Sequence, residues 1–487
     1  MIKKYLSKAK QLKPKLTETF IKIDGKKTSL NEGDSAVFDF GNHYVGSLTV
    51  QLTSAGSPQD APALIKFKFC EIAKELGEDT SAYNGWISKS WLQEELIHVD
   101  ILPCELKLKR RYAFRYVKIQ AVGLSSKFSL VINNLTAETV TSAPESIEVV
   151  GSTERERKID KIALRTLSEC MQYEFEDGPK RDRRLWLGDL RLQALTNYAT
   201  FKHNDLVKRC LYLFAGTSGK NGELSAAVFT KPKAISDDTF MFDYSLLFIP
   251  ILQEYYEATK DKQTAEELLP IALKQLTLAN KNFENGVICD SDKLGWCFLD
   301  WNLALNKQCG AQGVYIYCAK YAVKLMAALG KDTTVIEKDI ALKTETAINY
   351  FYDKKRGVFV SGQDRQVSFA ANIWMCLAGV LSPSENAKVL DNVNNTENVV
   401  GLVTPYAYHY YVQALFDCGK SNEARQVIND YWGAMADDGA DTFYEMFDPS
   451  NPDFSAYGAK AVNSCCHAWS CTPSYFLRKY FTEQSND

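Results

Sequence analysis

Between about residue 17 and residue 145 hydrophobic and polar positions alternate with a period of two, and from Ser152 onward the spacing changes to three and four. Ile65, Phe67 and Phe69 alternate with Lys66 and Lys68, and Val117, Ile119 and Ala121 alternate with Lys118 and Gln120. An extended chain turns successive side chains to opposite faces, so each run predicts a strand with one buried face. Similar runs at 36–40, 44–52, 96–101 and 128–140, separated by turn-rich stretches, predict an antiparallel β-sandwich.

The later spacing predicts about a dozen helices, near 153–172, 189–202, 204–216, 241–258, 262–283, 311–329, 334–353, 367–381, 383–393, 405–418, 421–435 and 463–482. Thr153 with Glu156, Thr334 with Glu337 and Ser382 with Glu385 have capping-box spacing, the last with Pro383 at the first helical position. In 313–329, Val314, Tyr317, Cys318, Tyr321 and Leu325 repeat on one face, and Gly330 supplies a stop. Twelve helices joined by alternating short and long loops predict six hairpins closed into a ring, an (α/α)6 barrel. A solenoid would show a repeat of fixed length, which this sequence lacks. The long connections at 217–240, 284–310 and 436–462 are aromatic and acidic, as the walls of a pocket would be. The expected organisation is multidomain, α and β: a β-sandwich over 1–148, then the barrel over 149–487.

The chain has 487 residues, more than one ordinary core supports, which agrees with two domains. Hydrophobic residues make up 46% and charged residues 24%, the composition of a globular protein. A net charge of -3 without a block of like charges offers no footprint for nucleic acid or an anionic membrane. No apolar stretch is long enough to cross a bilayer, and the basic residues 1–15 lack the apolar run of a secretory signal. Thirteen cysteines without framework spacing point to a reduced, cytoplasmic protein. Five histidines and no CxxC pair give no basis for a zinc site, and no Gly-rich phosphate loop or nucleophile elbow is present, so no metal and no cofactor are expected. A homodimer is compatible with the residues, and nothing in them decides it.

The densest chemistry lies in Asp177-Gly-Pro-Lys-Arg-Asp-Arg-Arg-Leu-Trp-Leu-Gly-Asp189, between two predicted helices. By composition alone it is either a solvated charged loop or a sugar pocket. In a sugar pocket, carboxylates accept bonds from vicinal hydroxyls and Trp186 offers a flat face to the ring. A carboxyl group that is desolvated or crowded by other carboxylates holds a proton near neutral pH and can act as a general acid. A second acid stands in Asp441-Thr-Phe-Tyr-Glu445-Met-Phe-Asp448, and His467 and Trp469 follow at the predicted start of the last helix. Taken singly, Glu445 also reads as a solvated glutamate and His467 as a helix-cap histidine.

Asp177-Gly-Pro-Lys-Arg-Asp-Arg with Trp186 and Gly188-Asp189 resembles the signature loop of glycoside hydrolase family 78, the α-L-rhamnosidases, in the branch whose acid is aspartate. Asp243-Tyr-Ser-Leu-Leu-Phe248, Phe298-Leu-Asp-Trp301, Thr404-Pro-Tyr406 with His409, Thr442-Phe-Tyr-Glu445 and Cys466-His-Ala-Trp-Ser470 follow in the family's order. The resemblance implies Asp182 as general acid and Glu445 as general base. It implies Asp177, Arg181, Trp186 and Asp189 as sugar-binding residues, with Phe240, Tyr244 and Trp301 lining the site and His467 reaching a hydroxyl. Many members carry Glu where this chain has Asp182. The sequence ends soon after the last expected barrel helix, so the family's C-terminal sandwich is expected to be absent and the substrate to be a small glycoside.

The expected reaction is inverting hydrolysis of a terminal α-L-rhamnoside, with the two carboxyl groups roughly 6.5 to 9.5 Å apart. One methyl group discriminates by only about 1 to 3 kcal/mol, which leaves L-mannose and L-lyxose analogues open. Two rivals remain at this level, a hydrolase of unsaturated uronides on the same toroid and a non-catalytic sugar-binding homologue. Arginines facing a substrate carboxylate would mark the first, and sugar binding without turnover the second.

Overall fold

The period-two stretch folds into six strands, β1 (Thr17–Leu30), β2 (Ser35–Gly56), β3 (Ala63–Cys70), β4 (Glu94–Val99), β5 (Cys104–Gly123) and β6 (Phe128–Thr141). The computed structural model describes residues 2–81, 83–144 and 146–481, so residues 482–487 of the second expected domain lie outside it. The strands form one antiparallel sheet in the order β1-β6-β2-β5-β3-β4, where two stacked sheets were expected. The difference has a local cause. Register shifts between Asp39 and Tyr44 and between Gly46 and Leu48 interrupt the long pairing of β2 with β5. Bulges bend and twist strands, and apolar residues of all six strands, among them Leu30, Val50, Phe67, Val99, Phe114 and Leu135, share one core. A single bent sheet therefore does what a sandwich would do.

Helix α1 (Ile2–Gln11) precedes the sheet and was not expected; its buried Tyr5 and Ala9 join the core of the helical part. After the sheet come α2 (Glu154–Cys170), α3 (Leu187–Ala199), α4 (Asn204–Gly216), α5 (Phe242–Thr259), α6 (Lys262–Ala279) and the short α7 (Ser291–Leu294). There follow α8 (Gln308–Ala328), α9 (Thr334–Phe351), α10 (Phe369–Leu377), α11 (Pro383–Asn394), α12 (Pro405–Asp417) and α13 (Ser421–Val427). Helix α3 packs on α5, α5 on α8, α8 on α10 and α10 on α12. The C-terminal turn Ala468–Cys471 touches both α12 and α3, which closes the circle. Outside it α4, α6, α9, α11 and α13 each pack on the inner helix that precedes them in the chain.

Capping boxes are present at Thr153 and Ser382, as the spacing predicts. The third expected box is corrected: the cap of α9 is Thr333, whose hydroxyl donates to Glu337, while Thr334 is already helical and bonds Asp332. The last expected helix begins about ten residues late: 463–467 is irregular, Ala468–Cys471 is a single 3-10 turn, and the α-helix starts only at Pro473. Among the described residues no helix is long and apolar enough to cross a membrane.

Candidate active site

The signature loop is closed by a reciprocal pair: the Asp177 amide donates to the Arg184 carbonyl at 3.0 Å, and the Arg184 amide to Asp177 Oδ1 at 2.9 Å. Between these ends Asp182 and Arg183 both have left-handed backbone, with φ of 56° and 55°. Such a conformation costs non-glycine residues of order 1 kcal/mol each and persists only where surroundings over-determine it. Here the surroundings are ion pairs. Arg111 on β5 grips Glu176 with both terminal nitrogens at 2.9 and 2.6 Å, Lys180 pairs with Glu75, and Arg183 Nη2 donates to the Arg111 carbonyl at 2.9 Å. The sheet thus holds the loop that carries Asp182. At the start of α3 a Cβ on Gly188 would fall 2.3 Å from the Tyr244 ring, so only glycine lets Tyr244 lie against this turn.

Loop and helix ends surround a cavity of about 290 Å³ lined by Asp177, Arg181, Asp182, Trp186, Asp189, Tyr244, Trp301, Glu445 and His467. Nine of the ten expected site residues therefore meet there. The tenth is corrected: Phe240 is 46% exposed and does not line the cavity, whereas Thr239 and Met241 do. The backbone at Met241 is extended, which turns neighbouring side chains to opposite faces.

Arg181 organises the centre. Its Nε donates to the Val462 carbonyl at 2.9 Å, Nη1 contacts Asp182 Oδ1 at 3.3 Å, and Nη2 reaches Glu445 Oε2 at 2.5 Å. Both carboxylates thus hang on one rigid planar group, which keeps those two oxygens within about 8 Å of each other. Burial pushes the Glu445 carboxyl up, but the Arg181 charge, His467 and hydrogen bonds from Tyr457 and Arg181 outweigh it and hold Glu445 below its ordinary value. Asp177 behaves oppositely. Burial, then the charges of Asp182 and Asp189, raise it well above the carboxylate range. Burial also raises Asp189, against the hydrogen bond with His467 Nε2 at 3.0 Å. Trp186, Trp301 and His467 line the cavity, and Trp186 Nε1, Trp301 Nε1 and His467 Nδ1 are buried without a hydrogen-bond partner.

Other motif carboxylates brace the walls. Asp243 accepts from the Phe298 and Leu299 amides at 3.0 Å each, and Asp300 from the Val403 and Thr404 amides at 2.9 and 3.1 Å. Burial pushes Asp300 up to about 6 even so. Sequence reasoning missed Tyr457, which hydrogen-bonds Glu445 and lies under the Arg181 guanidinium at 4.2 Å. It also missed Trp86, Ile87 and Trp91, which reach the cavity from the segment between β3 and β4. Aromatic residues in a turn-rich segment were the available signal.

Carboxylates gathered around an aromatic cavity, on a closed circle of helical hairpins, define a glycosidase. Residues 2–139 match the glycosyl hydrolase family 78 alpha-rhamnosidase N-terminal domain, and residues 147–481 the bacterial alpha-L-rhamnosidase 6 hairpin glycosidase domain. The chain belongs to glycoside hydrolase family 78, the α-L-rhamnosidases. It is similar to a rhamnosidase from Klebsiella oxytoca solved with rhamnose bound, at 44% identity over 98% of both chains and a TM-score of 0.95. A family 78 rhamnosidase of Bacillus sp. GL1 has the same fold at 21% identity and a TM-score of 0.77, with 93% of this chain matching 47% of that one. The α-L-rhamnosidase of Streptomyces avermitilis, solved with L-rhamnose, shares the fold at 16% identity and a TM-score of 0.71, with 96% of this chain matching 44% of that one. Among curated proteins nothing matches.

Proposed function

We propose that this chain is an inverting α-L-rhamnosidase, with a sheet domain over 1–148 and an (α/α)6 barrel over 149–487, acting on small soluble glycosides in the cytoplasm. Asp182 protonates the departing glycosidic oxygen while Glu445 deprotonates a water on the opposite face of the sugar. Asp177, Arg181, Trp186, Asp189, Tyr244, Trp301 and His467 bind the terminal sugar. The observation that carries this reading is the Arg181 bridge, which brings the Asp182 and Glu445 carboxyls onto one guanidinium in one cavity. Glu445 is held ionised, as a base must be. Burial and the charges of Asp182 and Asp189 raise Asp177 well above its ordinary value, and Asp182 is the most exposed of these three, with a side chain 19% accessible. Thirteen free cysteines agree with a reducing compartment.

Proton NMR of early hydrolysis of an aryl α-L-rhamnoside tests the stereochemistry. β-L-rhamnose appears first if the reading holds, and α-L-rhamnose appearing first refutes inversion. The variants Glu445→Gln and Asp182→Asn should each lower kcat by about 10² to 10⁴ while rhamnose still binds. An unchanged rate in either removes that assignment.

A further inference from the structure

An aromatic wall runs outward from the floor of the cavity. Trp469 stacks on Phe298 with ring centroids 5.6 Å apart, Phe298 meets Trp301 edge-on at 5.2 Å, Trp301 meets Tyr457 at 5.7 Å, and Tyr457 meets Trp86 at 5.4 Å. Burial changes along this wall. Trp469, Phe298 and Tyr457 are buried, whereas Trp86 is 66% exposed and still lines the cavity. Trp296, 49% exposed, lines the same cavity.

A large indole left in water costs free energy unless something covers it in the working state. The charged groups of the cavity do not need these two indoles. Asp182 and Glu445 share Arg181, Asp189 pairs with His467, and the outlying Arg184 is within 3.5 Å of Asp237. Besides these paired charges and the aromatic wall, the cavity lining has Ile87, Trp91 and Met241, with Ser88 and Thr239 as uncharged polar side chains. A sugar aglycone would bury many hydroxyls against such a surface with few partners, which is unfavourable. A flat apolar ring would cover the indoles and leave no polar group unsatisfied.

From this we propose that Trp86, with Trp296, forms the aglycone platform, and that the glycosides taken are those whose leaving group is a planar aromatic alcohol. The inference rests on the rhamnosidase reading above and adds the identity of the other half of the substrate. It also gives the sheet domain a direct part in specificity, because Trp86 belongs to the segment between β3 and β4.

The test compares 4-methylumbelliferyl α-L-rhamnoside with rutinose, in which rhamnose is linked to glucose, on the full chain. The quantity read is the ratio of kcat/KM for the aryl substrate to that for rutinose. Trp86→Ala should lower this ratio about fivefold to tenfold, through KM, and Trp86→Phe, which keeps a flat ring, should retain most of it. Trp296→Ala should move the ratio the same way. An unchanged ratio in Trp86→Ala, or a fall as large in Trp86→Phe as in Trp86→Ala, overturns the platform. Equal losses on both substrates also overturn it, since they show general damage to the site. Wild-type protein that hydrolyses neither substrate sinks the rhamnosidase reading itself, a different result from all of these.

Discussion

At position 445 two physical effects oppose each other, and their balance sets the chemistry. Burial alone would neutralise the carboxyl, and Arg181 with its neighbours keeps it charged. A base is active only when ionised, so activity falls as pH drops through the pKa of Glu445, and that acid limb lies below the ordinary glutamate range. Arg181→Gln removes the largest force lowering the pKa. The acid limb of the kcat/KM profile should then move to higher pH by about one to two units; a limb that stays in place shows that Arg181 does not control the base. Most of this centre was legible in the sequence because Asp177, Arg181, Asp182, Trp186 and Asp189 fall within one short stretch, from the loop into the first turn of α3. Tyr457 was not, since its contact with Arg181 forms only when distant segments meet. Phe240 falls between the lining residues Thr239 and Met241, and in extended chain one position is a change of face.

Among elements, the loop between α2 and α3 depends on β5. The Arg111 and Glu176 pair is bidentate, and the Glu176 side chain is only 4% exposed. Removing one partner of such a pair leaves the other charged and unsolvated, at a cost of about 3 to 5 kcal/mol. Arg111→Gln should therefore lower the midpoint of chemical unfolding substantially and also reduce kcat, because the left-handed turn at Asp182 loses its support. Stability lost without any change in kcat would show that the turn holds itself. Helix starts and spacing were readable because caps and apolar repeats are local signals, as at Thr153 and Ser382. The bending of β2 was not, because the shift at Asp39 and Tyr44 is set by pairing with β5 rather than by the pattern within β2. The late start of the last helix has a similar origin: the Glu445 amide donates to the Ser464 carbonyl at 3.0 Å and the His467 amide to the Phe443 carbonyl at 2.9 Å, so tertiary bonds take groups a helix would use.

For the whole molecule, the seam between sheet and helices is polar and buried. His43 of β2 has Nε2 3.2 Å from Glu71 Oε1, and Nδ1 4.0 Å from Glu169 Oε2 on α2. Glu71 Oε2 accepts from the Cys465 amide at 2.6 Å. The Lys180 ammonium sits between Glu75 and Glu71, where these carboxylates and Cys465 would otherwise suit a cation. Burial works against a charge on His43, and the Cys466 sulfur with the Glu71 and Glu169 carboxylates overcomes it, raising the ring to about 9. A histidine raised on folding contributes stability that is full below its unfolded value near 6.5 and lost as pH rises through about 9. Burial, opposed by His43 and Arg165, raises Glu169 to about 7, and a carboxyl raised on folding removes stability as pH climbs from about 4.5 to about 7, mostly below the window of the histidine. Both groups act in one direction. Unfolding free energy should fall by on the order of 3 kcal/mol between about pH 6.5 and pH 9, read by denaturant titration at fixed ionic strength. His43→Gln should flatten most of that slope, because amide and imidazole are both hydrogen-bonding but only the ring titrates here. A slope that survives the substitution would locate the pH sensitivity elsewhere. Because the same groups tie Lys180 and Cys465 to the sheet, wild-type protein should unfold in one calorimetric transition, sheet and helices together, and two separated transitions would show that the seam does not couple them.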